Sequence, residues 1–321
     1  MTQPSVILHC DAPDEAMAIV ADTHPDLTLH GCNSYADLPA LIADSGAEVV
    51  FSVRFAGTTG YPSSAVLSPP VRWLSVGGSG TDHLGQWSPD AVTVTNAAGV
   101  AADMMAEYVL GTALHFTLRL DHFRGLQADR HWSPNDYVEP LAGQTCLILG
   151  LGKTGEAVAR RMKAMGLETL GVRAQPRPTT HCDEVHGMGA LPDLWPRADV
   201  IVVCVPLLSS TRGLVDERAF AAMKSTAVLV DISRGGVIED GPLIAALQGD
   251  RIRGAALDVF AQEPLPGDHP LWGLENVILT PHCSSVYAGW TAKSVRMFAE
   301  NLGRYRRGEL LHNVVDPSRG Y

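Results

Sequence analysis

The chain has 321 residues, 46% of them hydrophobic and 18% charged, long enough for two domains with well-buried cores. Its formal net charge of −11 argues against a general affinity for nucleic acid or an anionic membrane surface, so an anionic ligand needs a local cationic site. No apolar run approaches the roughly 20 residues needed to cross a bilayer, and the opening MTQPSVILHCDAPDEAM lacks a basic stretch followed by an apolar one. Cys10, Cys32, Cys146, Cys182, Cys204 and Cys283 are scattered without a CxxC pair or zinc-ligand spacing. A reduced, cytoplasmic protein without a bound metal is expected.

Short apolar runs at 5–10, 27–32, 48–53, 71–78 and 92–97 read as strands, with helix-like stretches such as 34–46 between them. A long helical pattern follows over 101–132, with Met105, Val109, Leu110, Ala113 and Leu114 at helical spacing. A second strand series occupies 145–150, 168–173, 199–205, 226–232, 252–259 and 276–281, and the pattern at 286–310 is helical. This βαβα rhythm predicts two doubly wound parallel-sheet domains, a Rossmann nucleotide-binding domain and a flavodoxin-like substrate domain. The expected boundaries are 1–99 with 286–321 for the substrate domain and 100–285 for the dinucleotide domain, with a cleft between them as the default site.

Gly150-Leu151-Gly152-Lys153-Thr154-Gly155 fits G-x-G-x-x-G between an apolar strand and the amphipathic stretch EAVARRMKAMG. The first glycine permits the turn, the second lets backbone approach a pyrophosphate, and the third allows close helix–strand packing. The helix start presents free N–H groups to phosphate. An acidic residue usually ends the next strand and accepts the ribose hydroxyls; here that place holds Arg173. A guanidinium accepts no hydrogen bond but pairs with phosphate or stacks on adenine, and Arg177 can add charge. NADP(H) is the expected preference and NAD(H) a possible cofactor; a solvated Arg173 with relaxed cofactor choice is the alternative.

Three later stretches place a chemical group just past a strand: Arg234 in DISRGG, Asp258 and Glu263 in LDVFAQEP, and His282 in LTPHCSS. Strand carboxyl ends face the ligand crevice in open α/β sheets, so these groups can meet. Reducing a 2-oxo acid needs hydride at the carbonyl carbon and a proton for its oxygen. Arg234 can hold the carboxylate and polarise the ketone. His282 suits an acid that must reload near neutral pH, and Glu263 can orient its ring and favour its charged form. Taken singly, each has a bland reading: a surface cation, a turn histidine, a loop carboxylate.

Together these residues resemble the D-isomer-specific 2-hydroxyacid dehydrogenases, over about residues 48–313. The stretches LAGQTCLILGLGKTGEAVARR, VLVDISRGGVIED, GAALDVFAQEPLPGDHPLW and VILTPHCSS carry the likeness. The resemblance implies Arg234 as substrate anchor, Glu263 and His282 as the proton-transfer pair, and Asp258 near the nicotinamide. It implies Lys153 and Thr154 at the pyrophosphate, Cys204, Pro206 and Thr211 around the adenosine, and Ile232, Ser233 and Ser284 also at the cofactor. Two departures stand out: Asp231 where Asn is frequent, and Met104 with Met105 where smaller residues are usual beside the cofactor.

On the substrate side, VGGSGTDHLG is a glycine-rich loop whose N–H groups at Gly78, Ser79 and Gly80 can cradle a carboxylate. Arg54 follows another strand and can read the far end of a substrate, though a loop arginine is usually solvated. Tyr287 and Trp290 are candidates for pocket walls, with packing the commoner use. The resemblance implies a symmetric homodimer formed by the 101–132 region. The expected activity is reduction of a small 2-oxo acid such as glyoxylate or hydroxypyruvate. The rivals are an NAD-linked dehydrogenase of another D-2-hydroxy acid, such as phosphoglycerate or lactate, and a non-catalytic dinucleotide-sensing protein on the same fold. No appended regulatory domain is expected after LLHNVVD.

Overall fold

The structure, a computed structural model, describes residues 4–55 and 58–317. It divides into two compact units, Met1–Val100 with Tyr287–Tyr321, and Ala101–Val286.

In the first unit β1 (Ser5–His9), α1 (Pro13–Thr23), β2 (Thr28–Cys32), α2 (Leu38–Ser45), β3 (Val49–Ser52), α3 (Ser63–Val66), β4 (Trp73–Val76) and β5 (Thr93–Asn96) follow one another. The strands pair in parallel in the order β2-β1-β3-β4-β5, the flavodoxin-like arrangement. VVFS and WLSV are buried along their whole length because both sheet faces are covered, which is why they read as continuous rather than alternating runs. Leu38 and Ile42 of α2 pack with Ile7 and Leu74 on one face, while Val20 of α1 packs with Val295, Phe298 and Leu302 of the C-terminal helix on the other.

The second unit comprises α4 (Ala102–Thr117), α5 (Leu120–Ala128), β6 (Thr145–Leu149), α6 (Lys153–Ala164), β7 (Glu168–Val172), β8 (Glu184–His186), α7 (Leu191–Leu194), β9 (Val200–Val203), α8 (Glu217–Ala222), β10 (Val228–Asp231), α9 (Asp240–Gln248), β11 (Gly254–Leu257) and β12 (Val277–Leu279). Its sheet runs β12-β11-β10-β9-β6-β7-β8 with every pair parallel, the Rossmann order extended by one strand. The reversal lies at β6, so the turn after β6 sits at the topological switch point.

Two sequence expectations shift, and one strand is not foreseen by the sequence. The 101–132 pattern is two helices, broken where Arg119 takes a left-handed φ of 52° and its guanidinium reaches Asp136. The C-terminal helix spans Trp290–Arg306 rather than 286–310, entered through Gly289 at φ 84°. The short strand β8, with the sequence EVH, carries too little apolar pattern to be anticipated. Among the described residues no helix is long and apolar enough to cross a membrane, and no group of three or more His, Cys, Asp or Glu could hold a metal ion.

Candidate active site

The glycine turn links β6 to α6. Gly150 takes φ 103°, and a Cβ at Gly155 would lie 1.8 Å from the Gly150 carbonyl oxygen, so strand and helix are in direct backbone contact. Cys204 packs beneath, its thiol donating to the Gly150 carbonyl at 3.1 Å. Burial of that thiol pushes its pKa up to about 12, so it stays a neutral packing group. Gly152 caps α6 without a side-chain hydrogen bond, and a Cβ there would meet open space. An uncapped twelve-residue helix behind an open glycine fits a dinucleotide pyrophosphate. Lys153 is exposed, and the Thr154 hydroxyl donates to the Met105 sulfur at 3.8 Å, so this departure from smaller residues packs on the first turn of α6. Thr211 uses its hydroxyl to close its own turn, donating to the Pro206 carbonyl at 2.6 Å and accepting from the Leu208 N–H at 2.8 Å.

Arg173 follows β7 directly, its N–H bound to the His186 carbonyl at 3.1 Å. Its guanidinium lies 3.8 Å from the Glu156 carboxylate in the first turn of α6. No sequence signal marked Glu156, because helical periodicity reports burial, not which loop a side chain faces.

The three residues that follow strands are brought together. β10, β11 and β12 are parallel neighbours, so their carboxyl ends lie on one edge. The loop carrying Arg234 passes so close to that carrying Glu263 that a Cβ at Gly235 would lie 1.9 Å from the Phe260 carbonyl oxygen. Glu263 accepts from the Phe260 N–H at 3.0 Å and pairs with His282 Nδ1 at 2.9 Å. His282 itself is held at φ 53°, with its N–H on the Thr280 carbonyl. Burial pushes the Glu263 carboxyl up, but the His282 hydrogen bond, the Phe260 N–H and the nearby charges of His282 and Arg234 outweigh it and hold it below the usual carboxylate range. Arg234 donates to the Ser233 carbonyl at 2.7 Å. The arrangement is a carboxylate-oriented imidazole near a guanidinium, which can pass one proton and stabilise an anion.

Two buried aspartates underlie this edge. Asp258, fully buried, accepts from the Thr280 hydroxyl at 2.6 Å, the Cys283 N–H at 2.8 Å and the Ser284 N–H at 2.9 Å. It thus fixes the loop that presents His282, a task that sequence spacing did not disclose. Tyr108 extends the chain by bonding the Thr280 hydroxyl at 2.9 Å. Asp231 accepts from both the N–H and the hydroxyl of Ser233, at 3.0 and 2.5 Å. Burial pushes its pKa up to about 7; the Ser233 hydrogen bonds oppose this, the Asp258 charge adds to it and the Arg234 charge opposes it. Ile232 and Ser233 are each 3% exposed, Ile232 in the core cluster with Val230 and Ala256.

In the first unit, the Gly78 carbonyl accepts from Ala97 N–H at 2.9 Å and the Ser79 carbonyl from Asn96 Nδ2 at 2.8 Å, which fixes the turn through Gly80. Arg54 is exposed, and the N–H of its neighbour Phe55 donates to the Tyr35 hydroxyl at 2.7 Å. Trp290 packs on the core beside Phe298, and the Tyr287 hydroxyl binds the Val100 carbonyl at 3.1 Å, so both serve packing within this unit.

A Rossmann sheet with a glycine turn at its switch point and a hydrogen-bonded imidazole–carboxylate pair past the same sheet's strand ends is an arrangement suited to dinucleotide-dependent redox chemistry. The NAD binding domain of the D-isomer specific 2-hydroxyacid dehydrogenases matches residues 110–284. The chain is 32% identical over 263 residues to a glyoxylate reductase of Thermofilum pendens, covering 78% of this chain and 76% of the relative. A D-isomer specific 2-hydroxyacid dehydrogenase family protein of Aeromonas salmonicida superposes with TM-score 0.86 at 29% identity, over 98% of this chain and 100% of that one. An NADPH-dependent glyoxylate/hydroxypyruvate reductase of Sinorhizobium meliloti, in complex with NADP and sulfate, does so with TM-score 0.83 at 26% identity over the whole of both chains. The chain belongs to the D-isomer-specific 2-hydroxyacid dehydrogenase family. It is an oxidoreductase that uses a nicotinamide dinucleotide.

Proposed function

We propose that the protein reduces a small 2-oxo acid, glyoxylate or hydroxypyruvate, preferentially with NADPH. The observation that carries this is the gathering of Arg234, Glu263 and His282 at one sheet edge, with His282 Nδ1 held by Glu263 at 2.9 Å. A bound dinucleotide would supply the hydride for the carbonyl carbon. Arg234 holds the substrate carboxylate and draws charge toward the ketone oxygen. Glu263 fixes the imidazole through Nδ1, leaving Nε2 to give a proton to the carbonyl oxygen. Gly150, Gly152, Lys153, Thr154 and Gly155 hold the pyrophosphate, with Cys204, Pro206 and Thr211 beside the adenosine. Ile232 and Ser233 would lie near the nicotinamide, Ser284 would also contact the cofactor, and Asp258 acts there by holding the His282 loop. Gly78, Ser79, Gly80 and Arg54 are the substrate-contacting groups of the first unit.

The cofactor preference is supported by Arg173 in place of an acidic residue, and by relatives in complex with NADP or NADPH, from Sinorhizobium meliloti and Xanthobacter autotrophicus. A panel of 2-oxo acids assayed with NADPH and NADH tests the reading. Glyoxylate or hydroxypyruvate with NADPH is expected to give the highest kcat/KM, and Arg173→Asp to lower the NADPH value roughly 10- to 100-fold through loss of a charge-assisted phosphate contact and gain of a repulsive one. A clear NADH preference in the unaltered protein overturns it.

We propose a homodimer built on α5. That helix buries none of its residues, although Leu120, Phe123 and Leu126 lie on it, and Trp132 just beyond is 89% exposed. Light scattering at micromolar protein is expected to give twice the 34.3 kDa chain mass; a monomeric mass contradicts it.

A further inference from the structure

Arg173 is not alone at the end of β7. Its side chain is only 18% exposed, and the guanidinium lies 3.8 Å from a Glu156 carboxylate oxygen, beyond hydrogen-bonding reach but within ion-pair distance. The other Glu156 oxygen accepts from the Thr179 hydroxyl at 3.5 Å. The carboxylate is thus drawn toward the loop after β7, on the helix that begins at the glycine turn. Its backbone N–H is bonded to the Gly152 carbonyl at 2.9 Å, so the residue is fixed in the first turn of α6. A carboxylate here has two effects of opposite sign on a dinucleotide. It can accept ribose hydroxyls, the task of the acidic residue missing from position 173. It also repels a 2′-phosphate and engages the guanidinium that would bind one.

We propose that Glu156 is a specificity-determining residue that reads the adenosine ribose together with Arg173, accepting the hydroxyls of a non-phosphorylated dinucleotide and opposing the 2′-phosphate that Arg173 attracts. The assignment rests on the reading of Arg173 given under Proposed function. It makes the cofactor preference a balance of two charges rather than the output of one arginine, so the unaltered protein discriminates less sharply than an isolated guanidinium would.

The test uses the full chain and two fragments, adenosine 2′,5′-bisphosphate and ADP, titrated calorimetrically, with steady-state NADPH and NADH kinetics alongside. Glu156→Gln keeps the shape and removes the charge. It is expected to tighten bisphosphate binding roughly tenfold, as removal of one like charge within several ångströms allows, and to weaken ADP binding severalfold. The ratio of kcat/KM for NADPH over NADH should rise by a similar factor. Fragment dissociation constants whose ratio stays within twofold of the unaltered protein's overturn the proposal. Arg173→Gln in the same titration separates the two readings. If it weakens bisphosphate binding while Glu156→Gln changes neither fragment, only the Glu156 assignment fails. If it leaves bisphosphate binding unchanged, both fail.

Discussion

Replacing His282 with glutamine is expected to lower kcat for 2-oxo acid reduction by about 10²- to 10⁴-fold, the range typical of losing a positioned acid. Glutamine can still hydrogen-bond to Glu263, but it carries no transferable proton at accessible pH. Binding of the dinucleotide, read by quenching or shift of its fluorescence, should change little, because the glycine turn is built independently of His282 and Asp258 holds the 283–284 backbone without the imidazole. Glu263→Gln should cost less, since the ring keeps a hydrogen-bond partner at Nδ1. The two reaction directions should also respond oppositely to pH. Reduction needs the charged ring and falls as pH rises; oxidation needs the neutral ring and rises. Glu263 is held below the usual carboxylate range, so it stays ionised throughout the neutral region and does not confuse that profile. A loss under tenfold in H282Q, or parallel pH profiles in the two directions, would sink the role of His282.

Asp231→Asn should stabilise the protein at alkaline pH and not at acid pH. The Asp231 carboxyl is raised by burial from 3.8 to about 7 in the folded chain. Between those values the folded state holds a proton that the unfolded chain has released. Folding stability therefore falls as pH rises from about 4 to about 7, and the loss stays constant above that. At about 1.4 kcal/mol per pH unit, the ionisation costs at most about 4 kcal/mol at pH 8. Asparagine keeps an oxygen to accept from the Ser233 N–H and hydroxyl, yet carries no charge to bury beside Asp258. D231N should thus melt about 5–10 °C higher than the unaltered protein at pH 8, with the gain vanishing near pH 4. Scanning calorimetry from pH 4.5 to 8.5 checks it; a melting difference independent of pH would show that the charge of Asp231 is not what matters.

Much of this was legible in the chain. Continuous apolar runs such as VVFS, TCLIL and VIVV can be satisfied only where both sheet faces are covered, and that requirement specifies helices on either side. The glycine turn could be read because steric rules act locally: Gly150 and Gly155 meet each other within one strand–turn–helix. The candidates Arg234, Glu263 and His282 could be selected because each comes shortly after an apolar strand. The break at Arg119 could not be read, since the apolar spacing runs on through it while the Asp136 partner lies outside the helical pattern.

What the order of amino acids fixed by itself was the kind of elements, their alternation and the local chemistry at their ends. What only the tertiary structure decided was company: that β10, β11 and β12 stand side by side, so three loops share an edge; that Asp258 spends its carboxylate on the His282 loop; that Asp231 is buried near it; and that Glu156 faces Arg173. The physical reason is the range of the forces involved. Propensity, turn sterics and periodicity act over a few residues, whereas strand pairing, burial and charge–charge coupling depend on distances that exist only after the sheet has formed.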